Sequence, residues 1–117
     1  MTTVYGIPHC DTVKRSRAWF DEHRIAYTFH DFKKQGVPPL ALDVWIAKLG
    51  WEALVNKKGT TWRKLDPKVQ SAIVDAASAR ALMLREPSVI KRPVVAFGDS
   101  ARVITVGFSP DAWSAQG

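Results

Sequence analysis

The sequence predicts one α/β domain, spanning residues 1–117, with a mixed four-stranded sheet and a block of helices in its middle. Three observations predict it. A length of 117 residues suits one domain. Short β-branched and aromatic runs stand near both ends of the chain, whereas helical spacing of apolar residues occupies the region from about 38 to 90. The composition, 46% hydrophobic and 24% charged, is typical of a folded protein and excludes an intrinsically disordered chain.

The first third of the chain has the pattern of a β-α-β unit. A strand is expected at Thr3–Tyr5, a helix from about Asp11 to His23, and a second strand around Tyr27–Phe29. The residues expected on the buried face of the helix are spaced three and four apart: Val13, Ser16 and Phe20. Because the connection crosses over through a helix, the two strands are expected to be parallel.

Proline, glycine and aspartate divide the middle of the chain into helices. The first is expected from Pro38 to Leu49, before Gly50, and a second helical pattern covers Trp51–Val55. Asp66 is expected to cap a third helix, whose inward residues are Val69, Ile73 and Ala76. A fourth is expected at Ser78–Glu86.

The last third returns to strands. Residues 93–97 and 102–106 predict a β-hairpin around the turn Gly98-Asp99-Ser100, and Ser109 is expected to cap a terminal helix. The complete order matches the thioredoxin fold with a helical insertion at about 38–90.

Composition excludes several kinds of site. A single cysteine excludes an internal disulfide and a thiolate zinc site, and three scattered histidines predict no metal site. The start of the chain lacks a secretory signal, and no apolar run approaches the roughly 18 residues of a membrane span, so we expect a cytoplasmic protein. The net charge of +6 favours anionic partners, but no nucleic-acid-binding motif accompanies it.

Cys10 stands after the first strand and before the first helix, where the helix dipole lowers a thiol pKa. Lys14 and Arg15 follow in the first turns together with Arg17, although cations there oppose the dipole, and such a conflict is expected at a functional site. Asp11 acts against thiolate formation. The alternative interpretation is that Cys10 is a small buried apolar residue beside incidental charges.

Two further stretches could bind anions. Pro93 opens a strand that lies beside the thiol in a thioredoxin-type sheet, so Arg92 could bind an oxyanion or a carboxylate there; the alternative is a surface charge. The stretch Gly59–Lys64, which contains Arg63, could bind a phosphate-like or peptide ligand, but an exposed polar loop is the favoured interpretation.

Four blocks resemble the ArsC/Spx family, and within it the YffB branch: Tyr5–Thr12, Leu49–Leu54, Gly59–Leu65 and Ile90–Pro93. The resemblance implies a thioredoxin-like fold, places the family's redox cysteine on Cys10, and places the arginine before its cis-proline on Arg92 and Pro93. Arsenate-reducing members have two further arginines. The first falls near Asn56–Lys57, where Lys57 is a weaker substitute. The second falls on Gly107–Phe108, where no cation stands. We therefore expect weak or absent arsenate reduction.

The function expected from the residues and the resemblance together is that of a glutathione-dependent thiol reductase without a bound cofactor. Cys10 would be the nucleophile, and glutathione or a glutaredoxin-like protein would resolve the adduct because no second cysteine is present. The residues expected to bind glutathione, substrate or an anion are Arg92, Lys57, Lys14, Arg15, Arg63 and Pro93. The alternative is a non-catalytic, Spx-like regulator that binds RNA polymerase, although the Cys-x-x-Cys switch of those regulators is absent.

Overall fold

A computed structural model describes residues 1–98 and 101–116. The elements in chain order are β1 (Thr2–Gly6), α1 (Asp11–Glu22), β2 (Tyr27–Asp31), α2 (Phe32–Gln35), α3 (Pro39–Leu49), α4 (Trp51–Leu54), α5 (Thr60–Arg63), α6 (Pro67–Ala72), α7 (Ala76–Arg85), a 3-10 turn (Pro87–Val89), β3 (Val94–Phe97), β4 (Val103–Val106) and α8 (Pro110–Ser114). They form two compact units, residues 1–35 with 92–117 and residues 36–91.

The first unit is built on a four-stranded sheet in the order β2-β1-β3-β4. β1 pairs with β2 in parallel, and β3 pairs antiparallel with both β1 and β4. The predicted mixed sheet, the parallel β-α-β unit and the hairpin are therefore confirmed. Gly98 enters the hairpin turn with φ +82°, whereas Asp99 and Ser100 of the predicted turn lie outside the described residues.

The core of the first unit is aromatic and β-branched. Its buried cluster consists of Val4, Phe20, Val95, Phe97 and Trp113. The face of α1 predicted to be buried is the one that packs inward. Trp113 is fully buried, and its indole Nε1 donates a hydrogen bond to Thr105 Oγ1 at 2.8 Å, so the polar end of this large side chain is satisfied.

The second unit consists of short helices. Its largest fully buried side chains include Leu42, Trp45, Leu54, Leu82, Met83 and Ile90. One isolated antiparallel bridge, Val55 with Ile90, ties the end of α4 to the end of the unit, flanked by hydrogen bonds from Asn56 N–H to Val89 O (2.8 Å) and from Lys91 N–H to Leu54 O (2.7 Å). No helix within the described ranges is long and apolar enough to cross a bilayer.

Three local predictions were wrong. The stretch expected to be a polar loop forms the one-turn helix α5. Ala76 does not face inward on α6; it is exposed and begins α7, because Asp75 and Ser78 form a reciprocal capping box that starts a new helix. Ser109 is the residue before α8, but its hydroxyl donates to Gly107 O at 3.3 Å and makes no capping bond.

Candidate functional site

Cys10 is the N-cap residue of α1, in the loop that leaves β1. Its backbone N–H donates to Ile7 O at 3.2 Å, and its carbonyl accepts the first helical bond, from Lys14 N–H at 2.9 Å. The residue is partly exposed, which the buried-apolar interpretation does not predict. The thiol is thus placed at the positive end of a three-turn helix with access to solvent.

Gly6, the last residue of β1, allows α1 to approach the strand closely. A Cβ atom at this position would lie 2.8 Å from Val13 Cγ2 and 3.3 Å from Val13 Cγ1. Val13 is fully buried, so it cannot move aside without disturbing the core. A glycine is therefore required here, and it brings the first turn of α1 against the end of the strand.

Arg92 reaches Cys10 through the register of the sheet. Tyr5 on β1 pairs with Val94 on β3, so the residues before Val94 lie beside the residues that follow Tyr5. The Arg92–Pro93 peptide bond is cis, as the resemblance implied, and Pro93 is buried. The Arg92 guanidinium donates a hydrogen bond to the Cys10 thiol, and its Nε atom is buried.

The pKa of the Cys10 thiol is lowered below its ordinary value. Burial by itself raises this pKa, because it removes water from the thiolate. The backbone N–H of Val13, the hydrogen bond and charge of Arg92, and the backbone N–H of Thr12 act in the opposite direction and together exceed the effect of burial. A lowered pKa increases the thiolate fraction at neutral pH, and the thiolate is the nucleophilic form.

The basic residues of α1 have separate surroundings. Arg15 Cζ lies 4.3 Å from the centroid of the Phe108 ring. Arg17 Cζ lies 4.1 Å from the centroid of Phe29, and Arg17 Nε donates to Tyr27 Oη at 3.1 Å. Lys14 is exposed. The two arginines therefore have packing partners, which sequence reasoning missed because Phe108 is distant in the chain and Phe29 lies on a different element, β2.

The other predicted binding residues belong to the second unit. Lys57 Nζ lies 5.9 Å from the ring centroid of Trp51 and 5.4 Å from that of Trp62, so two indoles flank its ammonium. Arg63 is exposed at the last position of α5. Two cations that sequence reasoning did not single out, Lys58 and Lys91, line the same groove of this unit as Lys57. No local pattern marks them, since lysines are common on surfaces.

Among the residues that the structure describes, acidic, histidine and cysteine side chains do not gather into a metal site. Within residues 1–98 and 101–116, no group of three or more such side chains is placed to hold an ion. The chemistry that the described arrangement supports is that of a thiolate beside a guanidinium, suited to attack on an electrophilic sulfur or to contact with an oxyanion.

Comparison with known proteins gives curated relatives of two kinds. A protein of uncharacterised function from Haemophilus influenzae is 40% identical over 95 residues, covering 81% of this chain and 82% of that protein. The global transcriptional regulator Spx 1 of Oceanobacillus iheyensis is 25% identical over 116 residues, covering 95% of this chain and 82% of the regulator.

Solved structures and a family model indicate the same family for this chain. A YffB protein matches with a TM-score of 0.91 and 46% identity, over 99% of this chain and 98% of that one. An arsenate reductase (ArsC) related protein from Brucella melitensis matches with a TM-score of 0.73 and 49% identity, over 97% and 92% of the two chains. These matches confirm the predicted thioredoxin-like fold. The model of the ArsC family matches residues 5–116. The chain therefore belongs to the ArsC family.

Proposed function

We propose that this protein is a thiol reductase that uses Cys10 as its single nucleophile and glutathione as its external reductant. The observation that carries the proposal is the partly exposed Cys10 thiol at the start of α1, with Arg92 hydrogen-bonded to it and its pKa lowered. Membership of a family whose relatives include an arsenate reductase (ArsC) related protein supports it.

The reaction can be written for a mixed disulfide between a substrate thiol and glutathione. The Cys10 thiolate attacks the glutathione sulfur; a Cys10–glutathione disulfide forms, the original disulfide bond breaks, and the substrate leaves as a thiolate that takes a proton from water. A second glutathione thiolate then attacks the bound glutathione sulfur, which releases glutathione disulfide and restores the Cys10 thiolate. The sulfur of the incoming glutathione is oxidised to the disulfide level and the substrate sulfur is reduced to a thiol, while the glutathione sulfur of the original mixed disulfide stays at the disulfide level. An external thiol is needed because the chain has one cysteine.

Arg92 has two roles in this proposal. Its charge and hydrogen bond favour the thiolate, and its planar fork of donors suits a carboxylate of glutathione, a geometry that lysine does not reproduce. Lys14, at the start of α1, is proposed as an additional cation for the substrate or glutathione. The anion-binding roles of Lys57 and Arg63, in the second unit, stay predictions. Arsenate is not proposed as the substrate, since the chain lacks two of the arginines expected for it.

The test is the pH dependence of Cys10 alkylation, followed by mass spectrometry for a glutathione adduct. The alkylation midpoint of the parent protein should lie clearly below the value of about 8.5 for an ordinary thiol. Arg92→Gln should raise the midpoint, because it removes the charge and the donor that favour the thiolate. Arg92→Lys should weaken glutathione binding by roughly tenfold to a hundredfold, as expected for a lost charge-assisted bond.

A matched control removes an exposed arginine elsewhere: Arg85→Gln should leave the midpoint of the parent unchanged. A parent midpoint at or above about 8.5, or no adduct with oxidised glutathione, would contradict the proposal.

A regulatory function is the second candidate, favoured by the match to Spx over 95% of this chain. It predicts that the purified chain captures RNA polymerase and that Cys10→Ser retains this binding. Capture combined with a thiol that forms no glutathione adduct would favour the regulator over the reductase.

A further inference from the structure

Arg15 presents its guanidinium against the face of the Phe108 ring. The distance from Cζ to the ring centroid is 4.3 Å, within the range of a cation–π contact, and the residue is exposed. A guanidinium carries its five N–H donors in its own plane. When a guanidinium contacts an aromatic ring through its flat face, the donors along its edges stay available to a second group.

Phe108 is a fixed platform for this contact. Its ring packs edge-on against Trp113, with centroids 5.4 Å apart and an interplanar angle of 83°. Trp113 is fully buried and hydrogen-bonded to Thr105, so the platform rests on the core of the unit. An arginine stacked on such a ring loses little further freedom when it binds an anion.

The loop that carries Phe108 is tied to the Arg92–Pro93 segment. Gly107, with φ +83°, donates its N–H to Pro93 O at 2.9 Å. Arg92, the residue before Pro93, donates to the Cys10 thiol. Arg15 itself is five residues beyond Cys10 on the helix that Cys10 caps, an axial rise of about 7.5 Å. Contacts within one unit thus connect Arg15, Phe108, Arg92 and Cys10.

The two arginines act on different atoms. Arg92 is hydrogen-bonded to the Cys10 thiol and is among the groups that lower its pKa. Arg15 instead has its Cζ atom over the Phe108 ring.

We infer that Arg15, held on Phe108, is a second anion-binding group of the Cys10 site, and that the site prefers oxidised-sulfur substrates that carry a carboxylate close to the attacked sulfur. The inference rests on the proposed function and adds a substrate class to it. Arg92 engages the nucleophile and a carboxylate of glutathione, while Arg15 engages the carboxylate of the substrate.

Two small disulfides of similar size test this preference. In 3,3′-dithiodipropionate each arm ends in a carboxylate, whereas in bis(2-hydroxyethyl) disulfide each arm ends in a neutral hydroxyl. The second-order rate constant of Cys10 with each is measured by mass spectrometry. The parent should favour the carboxylate compound. Arg15→Gln should lower the ratio of the two rate constants about tenfold, as expected for one charge-assisted bond, with no change in the rate for the neutral compound or in the Cys10 alkylation midpoint.

The chain offers a matched control on the same helix. Arg17 also stacks on a phenylalanine, Phe29, at 4.1 Å, so Arg17→Gln makes the same change of charge and removes the same kind of contact. It should leave the ratio of the parent unchanged. Phe108→Leu should lower the ratio less than Arg15→Gln, because the cation remains but its platform is lost. Thermal unfolding of each variant checks that the fold is retained.

A second readout does not depend on disulfide chemistry. Inorganic sulfate should protect Cys10 from alkylation by neutral iodoacetamide, and Arg15→Gln should raise the sulfate concentration for half protection about tenfold. An unchanged ratio and unchanged protection in Arg15→Gln would overturn the inference, as would equal losses in Arg15→Gln and Arg17→Gln. If neither disulfide reacts with the parent but sulfate protection depends on Arg15, the reductase proposal fails and the anion site stands.

Discussion

The two compact units make their characteristic contacts over different distances in the chain. In the first unit, the Cys10 thiol meets Arg92 from the other end of the chain, and Arg15 meets Phe108. In the second unit, Lys57 lies between two tryptophans of neighbouring helices, and aspartates cap the helices that directly follow them. The contact between Cys10 and Arg92 is thus formed where the sheet joins distant segments, whereas the helical unit is organised mainly by local signals.

The distinction is one of degree. The second unit also contains the bridge between Val55 and Ile90 and an exposed ion pair between Arg80 and Asp43. The bridge joins the end of α4 to the end of the unit, whereas an exposed ion pair contributes little to stability. Substitutions that remove a non-local core contact, a local helix cap or a local cation–π contact can therefore be compared by the loss of free energy of unfolding that each one causes. This comparison measures how far the two units differ.

The largest effect is expected for Trp113→Ala. This substitution removes a fully buried indole from the aromatic core of the first unit, together with its hydrogen bond to Thr105. We expect the free energy of unfolding, measured by urea denaturation, to fall by about 3–5 kcal/mol. A fall below about 1 kcal/mol would show that the cluster around Trp113 is not the main support of this unit. Trp113→Phe is the matched control and should recover part of the loss, since it restores most of the apolar volume.

An intermediate effect is expected for Asp66→Ala. The Asp66 carboxylate accepts a hydrogen bond from Lys68 N–H at 2.8 Å and caps α6, in which Pro67 is the first residue. Loss of such a cap costs about 1 kcal/mol. Asp66→Asn keeps an acceptor oxygen and should retain most of the stability. If Asp66→Ala destabilises the chain as much as Trp113→Ala, the contrast between local and non-local support is wrong.

The smallest effect is expected for Lys57→Gln. Its ammonium lies near two indoles but on the surface, and an exposed cation–π contact contributes about 0.5–1 kcal/mol. Lys58→Gln, one residue away and also exposed, is the control and should be close to neutral in urea denaturation. A larger loss for Lys58→Gln than for Lys57→Gln would exclude the tryptophan stack as the reason for the effect.

The sequence by itself determined the order and type of most elements. Alternation at Tyr27–Phe29, the periodic face of α1 and the Asp66-Pro67 start of α6 are local patterns, and each is found in the structure. The errors were local as well. The one-turn helix at Thr60–Arg63 is shorter than any periodicity can detect, and Ala76 was assigned to the wrong helix because the capping pair Asp75 and Ser78 interrupts the apolar spacing.

The tertiary structure alone decided which cations have which partners. The sequence predicted Lys14, Arg15, Arg92 and Lys57 as anion-binding residues, because a charge near a thiol or within a family motif can be recognised from the sequence alone. The register of Tyr5 with Val94 brings Arg92 to Cys10, and the Gly107–Pro93 hydrogen bond anchors Phe108 for Arg15. Strand register and loop anchoring depend on segments that are far apart in the chain, so no local pattern encodes them. As a result, one of these similar cations, Arg92, acts on the thiol, whereas Arg15 and Lys57 face aromatic rings.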